Sequence, residues 1–354
     1  MTHTGKHTRF GRPFSFVVAA CFLFASGFAY GAAAAPLRVC ATTSDLGALA
    51  REVGGEDVEV VVFAKPTEDP HFVEAKPSFV KELHRAAVFV QVGMDLELGW
   101  VPALLRNARN PKILPGQPGY IDASTVIRPL EVPAGEVTRA LGDIHVRGNP
   151  HYLTDPLNGL RVAELLRDRL SVLQPEKARL FAERTEDFRR RVGAALVGQT
   201  LAAKYDFEKL ARLHEYGKLA SFLREQGEEE LLGGWLGTLA PHYGTKAVAD
   251  HNLWPYFARR FGLVLVGFME PKPGIAPTTK HLAWLVERMR AERVNLVLAA
   301  VYYDPRHAAF LARETGARIV PMAHAVGSRP GTETYLAFVD YNVRKLAAAI
   351  EGAD

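Results

Sequence analysis

Short valine-rich runs recur along the chain, separated by stretches of helical period, and this alternation constrains the fold more than any other feature. In the first half the runs are LRVCATT (37–43), VEVVVFA (58–64) and AAVFVQV (86–92), with a weaker one near PKILPG. The second half offers TKAVADH (245–251), LVLVGFM (263–269), VNLVLAAV (294–301) and ARIVPMA (317–323). Near-continuous apolar strands with an amphipathic stretch after each predict parallel sheets covered by helices on both faces. The expected helices of the first half are SDLGALAREVGG, capped by Ser44, then KPSFVKELHR, opening at Pro77, and DLELGWVPALLRNAR. Those of the second are NLWPYFARRFG, TTKHLAWLVERMRAER and PRHAAFLARETG, with TETYLAFVDYNVRKLAAAI closing the chain.

The fold class expected is therefore α/β: two doubly wound α/β lobes with parallel sheets, residues 36–173 and 201–354, joined by one long rigid helix at 174–200. DPLNGLRVAELLRDRLSVL starts at an Asp155 cap, and EKARLFAERTEDFRRRVGAALVG follows Pro175. A helix of ~23 residues spans roughly 34 Å, enough to run along both lobes. Residues 201–241, with the acidic EQGEEE, read as a helical insertion on the second lobe that carries no chemistry.

The first 35 residues read as a signal peptide. Lys6, Arg9 and Arg12 form a basic start, PFSFVVAACFLFASGFAYG is apolar, and AAAAP supplies small residues for cleavage between Ala32 and Ala35. Export to the periplasm follows. VAAC, ending at Cys21, loosely resembles a lipoprotein cleavage box, but the apolar run continues beyond it. Without the leader the formal +4 falls to about +1, which removes the charge argument for nucleic acid. Cys40 is then the one cysteine left, and it reads as a buried strand residue.

Ten histidines lie beyond the leader. His84, His214 and His281 sit in helical patterns among charged neighbours and read as solvated; His242 and His307 read as ordinary loop and helix-start residues. Four stand elsewhere. His71 follows a proline in the loop after the second strand, and His151 follows Gly-Asn-Pro before the Asp155 cap. His251 ends TKAVADH and His324 ends ARIVPMA. In doubly wound sheets ligands bind beyond the carboxyl ends of the strands, so all four can face one cleft. A lone histidine of this kind is more often a satisfied polar residue, and no local CxxC or HExxH marks a site.

Four longer segments carry a family resemblance. DPHFVEAKPS, GDIHVRGNPHYLTDP, DHNLWPYFARRFGLVLVGFMEPKPGIAPTTKHL and ETGARIVPMAHAVGSRPGTETYLAFVDYNVRKL resemble, in order, segments of the cluster-9 solute-binding proteins. These are the receptors of zinc and manganese ABC importers. The resemblance runs from about residue 37 to the end and implies one divalent metal held between two lobes. It carries the family's first three ligands onto His71, His151 and His251. In many members an acidic residue takes the fourth position and in others a small residue leaves it to water; here AHAVG puts His324 in that slot, with water as the alternative fourth ligand. The His/Asp-rich loop of many zinc members is absent, and His145 alone lies in that region, as a loop or auxiliary residue.

The chemistry expected is capture of Zn2+. Imidazole suits zinc, whereas manganese prefers carboxylate oxygen, and four ligands close a zinc tetrahedron with no position left for catalytic water. Glu270 is the leading candidate to hold a ligand ring from behind, with Asp250 and Asp155 weaker. The chain is expected to be a monomer and no enzyme, handing metal to an ABC permease and ATPase on separate chains. An exported zinc-binding adhesin or chaperone, or a zinc-dependent hydrolase, are the alternatives.

Overall fold

The computed structural model describes residues 35–133, 145–271 and 274–352, with residues 1, 2, 5 and 11 near the start. The expected signal peptide falls almost wholly outside the described residues. Pro36–Asp354 forms one compact unit, separate from Met1–Ala35.

In the first lobe β1 (Leu37–Ala41), α1 (Ser44–Gly54), β2 (Val58–Val62), α2 (Pro77–Arg85), β3 (Val88–Gln91), α3 (Val101–Ala108) and β4 (Tyr120–Asp122) alternate. Two helices follow, α4 (Pro156–Leu173) and α5 (Ala178–Val197), then four shorter ones: α6 (Gln199–Lys204), α7 (Phe207–Glu215), α8 (Leu219–Gln226) and α9 (Gly234–Leu239). The second lobe runs β5 (Lys246–Ala249), α10 (Pro255–Phe261), β6 (Val264–Phe268), α11 (Thr279–Glu292), β7 (Leu296–Ala299), α12 (Pro305–Thr315), β8 (Arg318–Pro321) and α13 (Tyr335–Glu351).

The sheets have orders β2-β1-β3-β4 and β6-β5-β7-β8, and every pairing is parallel. The strand order reverses beside β1 and again beside β5, which makes the loops after those strands the natural ligand positions. Alternation along β1 explains its double burial: Val39 and Ala41 join a large apolar core, while Cys40 faces a smaller one under α2 and α3. The large core is continuous from the first sheet through α4 and α5 to the second.

The interlobe helix is α5. It has 20 residues, roughly 30 Å, and buries Phe181, Phe188, Val192 and Leu196. Pro175 separates it from α4, whose first turn is capped by Asp155 accepting from Leu157 N at 3.0 Å. Close approach of α13 needs a glycine in α4, because a Cβ at Gly159 would lie 2.2 Å from the Tyr335 ring.

Two local expectations are corrected. PKILPG holds a 3-10 turn, Pro111–Ile113, and the fourth strand is Tyr120–Asp122; prolines at 111 and 115 suit a turn better than a ladder. Thr43, not Ser44, is the N-cap of α1, and its side chain makes no cap hydrogen bond. Residues 201–241 take part in the packing, with α7 lying on α10 and α9 on α13 of the second lobe. Leu201, Leu210, Ala211, Leu223, Trp235 and Leu236 belong to the large core, and α6, α7 and α9 also pack against α5.

Candidate metal centre

Each loop histidine is aimed by a different local device. His71 lies in a 3-10 turn, Pro70–Phe72, whose N-cap Asp69 accepts from His71 N at 2.9 Å. The same carboxylate oxygen stands 2.6 Å from His71 Nδ1. Trp100 Nε1 donates to Pro70 O at 3.1 Å and pins the turn to the lobe.

His151 is held by the Gly-Asn-Pro before it. Asn149 Oδ1 accepts from His151 N at 2.9 Å, while Asn149 Nδ2 donates to Asn252 O at 2.8 Å across the cleft. Tyr256 of α10 donates to Asn149 O and accepts from Leu130 N, both at 2.9 Å. The turn is thus fastened to the second lobe from two sides. His251 follows β5; its Nδ1 lies 2.7 Å from Glu270 Oε2, from the loop after β6. Asp250 is occupied with the backbone, accepting from His251 N and Ala300 N.

These three imidazoles converge. One nitrogen from each of His71, His151 and His251 lies within 4.8 Å of the other two. Ring centroids are 5.2, 5.9 and 5.7 Å apart, and the ring planes cross at 64–87°. With Nδ1 of His71 and of His251 facing carboxylates, Nε2 of each is left for the cleft. Nε2 of His151 is buried without a hydrogen-bond partner. Burial, then the neighbouring His71 and His251, drives the His151 pKa well below its usual value. A neutral imidazole is the form that binds metal.

His324 stands outside this group. Its ring meets Tyr302 edge-on with centroids 4.5 Å apart, and its Nδ1 is buried without a partner. Burial pushes its pKa down to about 4. With His151, Thr43 and Ser44 it lines a neighbouring cavity of about 40 Å³. His145, by contrast, enters the centre: its Nε2 is 3.1 Å from His71 Nε2. The residues just before it, 134–144, lie outside the described residues.

Glu270 has the backing role expected of it, whereas Asp155 caps α4 and pairs with the buried Arg260 at 2.9 Å. Asp69 was not singled out from sequence. The signal was present in DPH, since an Asp two residues ahead of a His can cap the turn and reach the ring together. His214 is also corrected: it is 3% exposed, and burial lowers its pKa to about 4. Its ring packs edge-on to Tyr243, which the charged neighbours in the sequence concealed.

Two parallel α/β lobes on a shared helical spine, with imidazoles from both converging at the strand ends, define a metal-binding receptor of the solute-binding class. The chain belongs to the family described as zinc-uptake complex component A, periplasmic, matched over residues 39–197 and 231–349. The unmatched interval covers α6 to α8. Members are substrate-binding proteins of metal ABC transporters, not enzymes. The metal ABC transporter substrate-binding lipoprotein SloC of Streptococcus mutans is 21% identical over 318 residues, 88% of this chain and 89% of its own. The manganese-binding lipoprotein MntA of Halalkalibacterium halodurans is 22% identical, covering 87% and 86%. Among solved structures, a crystal structure of ZnuA superposes with TM-score 0.64 at 20% identity, covering 89% of this chain and 99% of that one. FpvC of Pseudomonas aeruginosa in complex with Mn2+ gives TM-score 0.66 at 18%, with the same coverages. At these identities the structural likeness shows the fold.

Proposed function

We propose that this protein is an exported receptor that captures Zn2+ between its lobes and delivers it to an ABC permease driven by a separate ATPase. The observation that carries the reading is the convergence of His71, His151 and His251 from both lobes, with no carboxylate oxygen inside the group. An all-imidazole set suits zinc, whereas manganese favours carboxylate oxygen. Asp69 and Glu270 act behind the rings, holding Nδ1 so that each Nε2 keeps its lone pair inward. Relatives carry manganese in their names, so the zinc reading rests on this chain's own donors.

Delivery to a permease places the protein in the periplasm. Relatives named as lipoproteins make Cys21 the residue to examine for a lipid anchor. The test of the cargo is calorimetric titration of the metal-stripped protein with Zn2+ and with Mn2+, beside His251→Ala. One tight zinc site, weaker manganese binding and a loss of more than ~100-fold in the variant are expected, a ligand being worth more than the ~10–100-fold of an outer partner. Manganese bound as tightly as zinc would overturn the metal assignment.

A further inference from the structure

The converging trio leaves a fourth position open, and two histidines compete for it. We propose that His145, rather than His324, supplies the fourth ligand of the captured ion. This rests on the receptor reading above and assigns the residue that completes its site.

Three observations support it. His71 gives its Nδ1–H to Asp69, so its Nε2 carries a lone pair, and His145 Nε2 lies 3.1 Å from that atom. Two nitrogens bound to one tetrahedral zinc at ~2.0–2.1 Å stand roughly 3.3 Å apart, so the spacing of this pair is already close to that of two ligands. The ring centroids of His71 and His145 are 5.2 Å apart, the same separation as His71 and His151, which do belong to the group. His324 shares a cavity with His151 but lies outside the converging group, and the Tyr302 ring is set against it.

The geometry also says what metal binding changes. His145 Nε2 is not within 4.8 Å of the whole trio; with the His71 proton on Nδ1 toward Asp69, the short contact requires His145 Nε2–H to donate to the lone pair that the ion needs. When His71 turns that lone pair to the metal, the N–H···N bond breaks. His145 then carries its single proton on Nδ1 and presents Nε2 to the ion, with no net proton released. The fourth ligand therefore sits beside His71 before the ion arrives and shields it until it does. Three donors would come from the first lobe and one from the second, and His145 leads directly into the Gly-Asn-Pro turn that carries His151.

The experiment compares wild type, His145→Ala and His324→Ala, each metal-stripped, in two readouts. Zinc affinity is measured by chelator competition. Co2+ absorption is recorded beside it, because four-coordinate cobalt absorbs far more strongly in the visible than six-coordinate cobalt. Melting of the metal-free variants checks that each is folded, and His145→Gln serves if the alanine variant is not. The expected result is at least a ~10-fold loss of zinc affinity and a weakened cobalt band for His145→Ala, with His324→Ala like wild type in both. A His145→Ala protein identical to wild type, or losses confined to His324→Ala, would overturn the assignment while leaving the receptor intact. Wild type that binds neither ion would instead overturn the receptor reading itself.

Discussion

The two lobes solve one chemical problem in different ways. Each must hold an imidazole by its Nδ1 so that Nε2 faces the cleft. The first lobe does it within three residues: Asp69 caps the turn that carries His71 and accepts from both its backbone N and its ring. The second does it across the sheet, joining His251 after β5 to Glu270 after β6, nineteen residues apart. Strand order and pairing are the same in both lobes, so the difference is not one of architecture. A local pair can form as soon as its turn forms. A tertiary pair exists only while β5 and β6 are in register.

The largest effect expected comes from breaking the tie between the lobes. Arg260 of α10 is buried with Asp155 at the start of α4 and with Glu215. Arg260→Met leaves the Asp155 carboxylate buried without a cation, while Glu215 keeps Arg259, and stability should fall by about 3–5 kcal/mol. Urea unfolding of the metal-free protein measures it; a loss under 1 kcal/mol would mean that the lobes are held together without this pair.

Next are the two carboxylates behind the rings. Asp69→Ala and Glu270→Ala should each lower zinc affinity by ~10–100-fold, yet differ in amide hydrogen exchange. Asp69→Ala removes a cap as well as a ring partner, so exchange should rise across 68–73 in the metal-free protein. Glu270→Ala should leave exchange in β5 and β6 as in wild type. Equal exchange maps for the two variants would remove the distinction between local and tertiary support.

The smallest effect separates the two sheets themselves. Cys40 on β1 is fully buried, as is Val248 at the matching outer position of β5. Burial, reinforced by Glu82, pushes the Cys40 thiol up to about 12 from a reference of 9.0. A folded pKa raised in this way contributes stability that is complete below pH 9 and lost as pH rises toward 12. Between pH 8 and 10 wild type should lose about 1.4 kcal/mol more than Cys40→Ala. Parallel losses in the two proteins would show a thiol that ionises as freely folded as unfolded.

Much of the fold was legible because parallel strands buried on both faces leave unbroken apolar runs. Among the described residues, seven of the eight strands lie within the runs read from sequence, and the eighth, Tyr120–Asp122, has only three residues and no such run. Placing the cap at Ser44 rather than Thr43 reflects a choice between adjacent hydroxyl residues that backbone angles decide. The packing of α6 to α9 was hidden because charged exteriors such as EQGEEE say little about which inner face meets which helix. At the site, strand-end position singled out His71, His151 and His251, and the structure brings those three together. His324, which the same reasoning from strand ends had placed alongside, lines a cavity next to His151 but is not in that group.

The sequence alone determined what is decided within a turn or a strand: the alternation that makes two parallel sheets, the Asp155 cap, and DPH, where carboxylate and imidazole lie too close along the chain to miss each other. Only the tertiary structure decided which distant groups meet. Glu270 reaches His251 because β6 lies beside β5, and Tyr302 stands against His324 while His145 swings in against His71. Those outcomes depend on where separate elements end in space. A shift of one residue in a loop moves a side chain by more than the length of a hydrogen bond.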